Sequence, residues 1–525
     1  MTTWYFDSDL GSDGNTGKSQ DKPKQSYDTF ANSGFPGAAQ GDLYLFRRGK
    51  QQVASSANVA VGSGASTTNR TKWGVYGVSQ VPYAIWTPPP SGPMNNAYIL
   101  NMSGRSYVDM EDQYFDALNR ATYTLYLFAS GATPNSGHAF RRCFFMNAAP
   151  GAGGTGLHFG GTDTSTGDTG DYLFEDCGYG NNPVHGMLIA GAHDVTVRRC
   201  KFWGNGFNAP AGGHGLSSKY RLQEFTTSGW TQSGLVWYRA LAAYQTDVYY
   251  VISGVNGYGR LVKNTVTPAT PAAGEFGVAG GNLYVNLNSV TNPATQNVRY
   301  FWGRCYNLLI EDNEAWENIN DPISPFVEGH GIALDNCADD STVRRNKCWR
   351  NGGAGISCNL GDRNLLEANI AYENQASGVV MASAHGILVY HNTLTNNNLG
   401  PSGIRNNGEI TAFPNCKNGE VTNNILKGRG QYGVDIFPDV TGFTGDTNCI
   451  HGYDSADRAS ILTNTIIADP LLDSNFRPRS PRLIRSGRHL GRKDFNGKRF
   501  YNPPNIGAVD DVTPMPRYLM TYNGR

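Results

Sequence analysis

Asn313-Glu-Ala-Trp-Glu-Asn318, Asn346-Lys-Cys-Trp-Arg-Asn351, Asn369-Ile-Ala-Tyr-Glu-Asn374 and Asn392-Thr-Leu-Thr-Asn-Asn397 are four versions of one phrase. Their first asparagines are 33, 23 and 23 residues apart. Between them lie short apolar segments opened by glycine: Gly331-Ile-Ala-Leu, Gly355-Ile-Ser-Cys and Gly378-Val-Val-Met. A period in the low twenties, built of strand-like and turn-like pieces without helical spacing, predicts a stacked solenoid.

The columns run beyond the four phrases. The first-Asn position continues upstream as Cys143, Cys177 and Cys200, which end Phe-Arg-Arg-Cys, Phe-Glu-Asp-Cys and Val-Arg-Arg-Cys, and downstream as Asn424. An aromatic column reads Trp203, Trp316, Trp349 and Tyr372, and a second polar column Asn205, Asn318, Asn351, Asn374 and Asn397. Stacked amides bond up and down such a column and stacked rings bury one another, so these residues belong to the scaffold. The nine cysteines contain no CxxC pair and read as small buried residues of the turn column rather than metal ligands.

The step from Cys200 to Asn313 is 113 residues, 90 more than one 23-residue turn. Alternating aromatic and β-branched segments fill it, such as Val248-Tyr-Tyr-Val and Gly281-Asn-Leu-Tyr-Val-Asn-Leu, so an inserted β subdomain is predicted over 221–302. The remaining divisions are an N-terminal cap with the first strands (1–97), two solenoid parts (98–220 and 303–440) and a Pro- and Arg-rich C-terminal cap (441–525).

Lys plus Arg equals Asp plus Glu at 43 each, which argues against bulk attraction to nucleic acid or anionic membrane. No apolar run is long enough to span a bilayer, so membrane insertion is not expected. No secretory signal is read at Met1-Thr-Thr-Trp-Tyr-Phe-Asp; an extracellular or virion-associated place is expected, reached by secretion or by release on lysis. Asp7, Asp9 and Asp13 fall in one loop, but without the glycine and glutamate of a helix-loop-helix calcium site they read as turn residues; no cofactor is expected.

With these rungs, the beginning Tyr5-Phe-Asp-Ser…Gly11-Ser-Asp-Gly-Asn-Thr-Gly and the ending Asp469-Pro-Leu…Ile506-Gly-Ala-Val-Asp, the chain resembles the pectate-lyase-like family of right-handed parallel β-helices. The resemblance implies an all-β fold and a polysaccharide substrate. It is weak for reaction, since the family holds lyases, glycoside hydrolases, epimerases and tailspike depolymerases. A homotrimer and attachment to a virion are expectations of the tailspike likeness alone.

Strand alternation locates the candidate groove. Counted from each opening glycine, the fourth residue gives Ala190, Lys219, Asp335, Asn359, Ala382 and Asn407, and the second gives Leu188, Ser217, Ala333, Ser357, Val380 and Arg405. His185, His214 and His330 form a further column just before the glycine, either a stacked turn column or an acid/base row. Cleaving a glycosidic bond by hydrolysis needs two carboxylates across it, and Asp321, Glu328 and Asp335 surround one strand. The expected catalytic set is Glu328, Asp335, Asp321 and His330. The expected substrate-binding set is His214, Lys219, Asn359, Arg405 and Trp237, the last as an exposed ring of the insertion. A polysaccharide depolymerase acting by hydrolysis is the leading reading. A lyase with Lys219 or a histidine as base, and a non-catalytic carbohydrate-binding spike, are the alternatives.

Overall fold

The computed structural model describes residues 2–32, 41–54, 59–60, 63–90, 98–129, 133–151, 153–161, 169–209, 213–219, 222–225, 229–241, 248–253, 259–287, 293, 298–320, 328–336, 338–401, 406–490 and 492–510. Parallel strands stack in three ladders around one apolar interior. The first runs from Thr3–Phe6 and Leu43–Arg47 through His193–Arg198, Cys305–Glu311 and Thr342–Arg344 to Leu462–Thr463. The second carries Phe144–Met146, Gly178–Gly180, Lys201–Trp203, Glu314–Trp316, Lys347–Trp349 and Ile370–Tyr372. The third carries Tyr98–Asn101, Tyr123–Ala129, Thr155–Gly161, Met187–Ala190, Leu216–Lys219, Ile332–Asp335, Ile356–Asn359 and Val379–Ala382. The fold is the expected right-handed parallel β-helix.

The repeated phrase forms the corner between the first two ladders. Its central residue takes a left-handed conformation at Arg142, Asp176, Arg199, Asp312 and Arg345, with φ from 52 to 59°. One such residue turns the chain, and the next, Cys or Asn, drops inside. Asn313 shows the consequence: its Nδ2 donates to Val197 O (3.0 Å) and to Asn346 Oδ1 (2.9 Å), and its own N–H also donates to that Oδ1 (3.0 Å). The same pattern passes through Asn346, Asn369, Asn392 and Asn424 to Asn448. Acidic and basic corners alternate, so Arg142 pairs with Asp112, Arg199 with Asp176 and Arg345 with Asp312. Exposed pairs add little stability each, but a slip of one rung would set like charges together. Cys143, Cys177 and Cys200 are buried free thiols, as the column predicts.

Three expectations change. The ladders begin at Thr3–Phe6, not at Tyr98, where Phe6, Tyr44, Phe46, Trp73 and Trp86 fill the interior of the first rungs, and they continue past 440 to Ile466–Ile467. The C-terminal tail lies along the flank: Phe476 packs on the Tyr372 ring at 5.0 Å, and Leu483 and Ile506 join Ile425 and Cys449. Between Leu222–Phe225 and Arg299–Trp302 the chain forms two small sheets of its own. Their core takes Trp237, which is 7% exposed beside Val248, Phe276 and Leu283, so the ring expected to face sugar is interior.

Candidate functional site

The register survives the insertion. Ser217 pairs with Ala333 and Ser218 with Leu334, so Lys219 and Asp335 are the next positions on adjacent strands, followed by Asn359. The outward face of the third ladder, from Thr155–Gly161 to Ile332–Asp335, forms a cavity of about 210 Å³. Lys219, Glu328, Asp335, His158, His185, His214 and Ser217 line it, with Tyr123 at its N-terminal side.

The histidine column does two things at once. His185, His214 and His330 are buried and stacked, with ring centroids 5.3 and 5.0 Å apart. Each Nδ1 accepts a backbone N–H from the next rung: His214 N to His185 (3.2 Å), His330 N to His214 (3.3 Å) and Ala354 N to His330 (2.8 Å). A neutral imidazole has one donor and one acceptor nitrogen, so these amides place the proton on Nε2. Burial also disfavours the charged form, pushing His214 down to about 4 and His330 to about 3. The column is therefore a row of neutral Nε2–H donors. His330 was expected as an acid/base group; the amide on its Nδ1 leaves it no basic lone pair toward the cavity.

The carboxylates behave differently. Glu328, 20% exposed, has Oε2 3.1 Å from His214 Nε2, and its N–H donates to Asn320 Oδ1 (2.9 Å). Asp335 Oδ1 accepts from Asn336 Nδ2 (2.7 Å) and Asn359 Nδ2 (3.2 Å). Desolvation raises both above the usual carboxylate range; for Asp335 the charge of Glu328 adds to it, while His330 and Lys219 pull Glu328 back and His214 and Lys219 pull Asp335 back. Two carboxyls held high and near each other favour one protonated and one ionised at a time.

His214, Glu328 and His330 offer ligand atoms within 4.8 Å of one another, a spacing a cation would accept. Ligation by Nε2 would require moving the proton to Nδ1, where it would face the backbone N–H. The donor set does not fit a metal. In the N-terminal loop, Asp7 Oδ1 accepts from Asp9 N and Leu10 N, and Asp13 Oδ1 from Ser26 N, which is turn chemistry.

Of the residues expected at the site, Glu328, Asp335, Lys219 and His214 line the cavity together, with His330 stacked beneath and Asn359 bonded to Asp335. Asp321 and Arg405 lie outside the described residues. Arg405 was also placed by an alignment that fails: Val379 pairs with Ile410 and Val380 with Thr411, so the rung opens at Gly408 and Glu409, not Gly403. His158 was overlooked, although Gly156-Leu-His158 obeys the same count from the opening glycine, and it pairs with Leu188 in the second outward column.

The family described as periplasmic copper-binding protein (NosD) matches residues 262–402, well under half of the chain. No curated protein matches it. Among solved structures, the A-module of mannuronan C-5 epimerase AlgE6 from Azotobacter vinelandii is 12% identical, covers 82% of this chain and 92% of its own, and has a TM-score of 0.49. Pectate lyase Pel9A is 12% identical, with 98% and 97% covered and a TM-score of 0.42. The Dettilon tailspike protein is 11% identical, with 82% and 62% covered and a TM-score of 0.40. At these scores the fold rests on the strand pairing itself. The chain is a right-handed parallel β-helix.

Proposed function

We propose that the cavity cleaves a glycosidic bond of a complex polysaccharide by hydrolysis, with Glu328 as general acid and Asp335 as general base. The observation that carries this reading is the pair of carboxyls raised together beside neutral donors. Glu328 Oε2 lies 3.1 Å from the neutral His214 ring, and its carboxyl gives its proton to the leaving oxygen. Asp335 Oδ1 is held by two amide donors, which favours its ionised form and suits it to take a proton from water as that water attacks the anomeric carbon. The histidine Nε2–H groups would hold sugar hydroxyls or a sugar carboxylate. A copper role, suggested only by the name of the matching family, does not suit histidines whose Nδ1 atoms are acceptors.

Lys219 in the same cavity favours a second reading, β-elimination on a uronic-acid polymer, in which its ammonium neutralises the substrate carboxylate and a carboxylate of the pair takes the neighbouring proton. The two separate by product. Hydrolysis yields reducing ends without new ultraviolet absorbance; elimination adds a conjugated double bond that absorbs. In the tailspike form of this reading the chain is a homotrimer, which sedimentation would detect.

A further inference from the structure

The cavity does not end at the carboxylates. On its N-terminal side it is lined by Tyr123 and by His158 on the next strand, with Tyr126 beside them on the Tyr123 strand and Tyr98 on the strand before. Tyr98 and Tyr126 stack at 5.2 Å and 19°, Tyr123 lies 5.1 Å from Tyr126 and 5.4 Å from His158, and Phe128 meets the His158 ring edge-on at 4.5 Å. These tyrosines are partly exposed on the same outward face as Lys219 and Asp335. Two polar atoms here lack hydrogen-bond partners among the described residues: His158 Nδ1, and the Oγ of Ser217, a residue 1% exposed. A buried polar atom left unbonded is unfavourable, so both atoms point to a ligand that would satisfy them. Tyr126 pairs with His158, His158 with Leu188 and Leu188 with Ser217, which puts the two atoms in one column two rungs apart.

We propose that Tyr98, Tyr126 and His158 form a second saccharide subsite, distinct from the cleavage point, which takes the apolar face of a pyranose ring while His158 Nδ1 bonds one of its hydroxyls and Ser217 Oγ, two rungs on, bonds another unit of the same chain. This rests on the hydrolytic reading above and gives it a direction. Successive rungs lie about 4.8 Å apart, close to one sugar unit. Three steps separate the Asp335 strand from the His158 strand, so the chain lies along the helix axis with about three units between the scissile bond and His158, and the strands of Tyr126 and Tyr98 lie one and two rungs beyond. Oligosaccharides too short to reach the subsite would be cleaved poorly.

The test measures kcat and KM on polymannuronate, polygalacturonate, hyaluronan and xanthan, then on a length series of whichever polymer is cleaved. Tyr126→Ala and His158→Ala are each expected to raise KM about tenfold on long chains, with kcat nearly unchanged and the gain with chain length abolished. Tyr126→Phe, which keeps the ring, is expected to recover most of the KM lost in Tyr126→Ala, and equal melting temperatures of the two variants guard against a folding effect. If the alanine variants keep the length dependence, the subsite is wrong while the cleavage reading stands. If the unaltered protein neither binds nor cleaves any of the four polymers, the polysaccharide reading falls and the subsite falls with it.

Discussion

Each imidazole of the His185–His214–His330 row holds the amide of the rung above it and so fixes where its own proton sits. In protein with 15N-labelled histidine, ring-nitrogen shifts of His214 and His330 are expected to report the Nε2–H tautomer, and both rings to stay neutral down to about pH 4 and pH 3. An Nδ1–H signal would reopen the metal and general-base readings. Glu328→Gln and Asp335→Asn are each expected to lower kcat by about a thousandfold without unfolding the chain. The sign of the pH dependence follows from the raised carboxyls. Activity needs one carboxyl of the pair protonated and one ionised, so it falls on the acid side as the pair takes its second proton and on the alkaline side as it loses its last, with both limbs above the usual carboxylate range. The histidine row was legible because each member precedes an opening glycine. Its tautomer was not, since that depends on which backbone amide meets Nδ1.

At the scale of the rung, the asparagine columns were fully legible, because a turn repeated in sequence repeats in space. Replacing Asn346 with alanine strands Asn313 N–H and removes the amide donor to Ile310 O inside the protein, while Asn369 Oδ1 keeps only the backbone N–H of residue 346. Chemical denaturation is expected to show a loss of about 3 kcal/mol or more. The second column ends where sequence reading failed. Asn397 donates through N and Nδ2 (3.1 and 2.6 Å) not to another asparagine but to Glu409, which also accepts from Tyr453 Oη at 2.8 Å. The longer loop before Glu409 hid this change of residue and misplaced Arg405. Burial lifts the Glu409 carboxyl from 4.5 to about 7. A folded pKa above the unfolded one means stability is greatest below about pH 4.5 and declines as pH rises to about 7, by roughly 3 kcal/mol. Denaturation of Glu409→Gln across that window is expected to lack this decline; an equal slope in both proteins would contradict the assignment.

For the whole molecule, the interruptions of the repeat proved as informative as the repeat. The insertion leaves the helix after Lys219, returns at Cys305 and keeps its own core, so the rungs on either side pair as though it were absent. Replacing 222–302 with a short glycine-rich link is accordingly expected to leave the β-helix folded, with its cooperative melt shifted by only a few degrees. Its aromatic residues suggested a sugar-facing surface, but composition cannot distinguish a ring that covers a ligand from one that fills a core, and Trp237 does the latter. The sugar-facing tyrosines instead lie on ordinary rungs upstream. The most direct measurement of the central claim follows reducing ends and ultraviolet absorbance together, with purified protein and its Glu328→Gln variant acting on a polysaccharide panel. The account predicts new reducing ends without absorbance from the unaltered protein and none from the variant. Equal release by both proteins, or no release from any polymer, would contradict it.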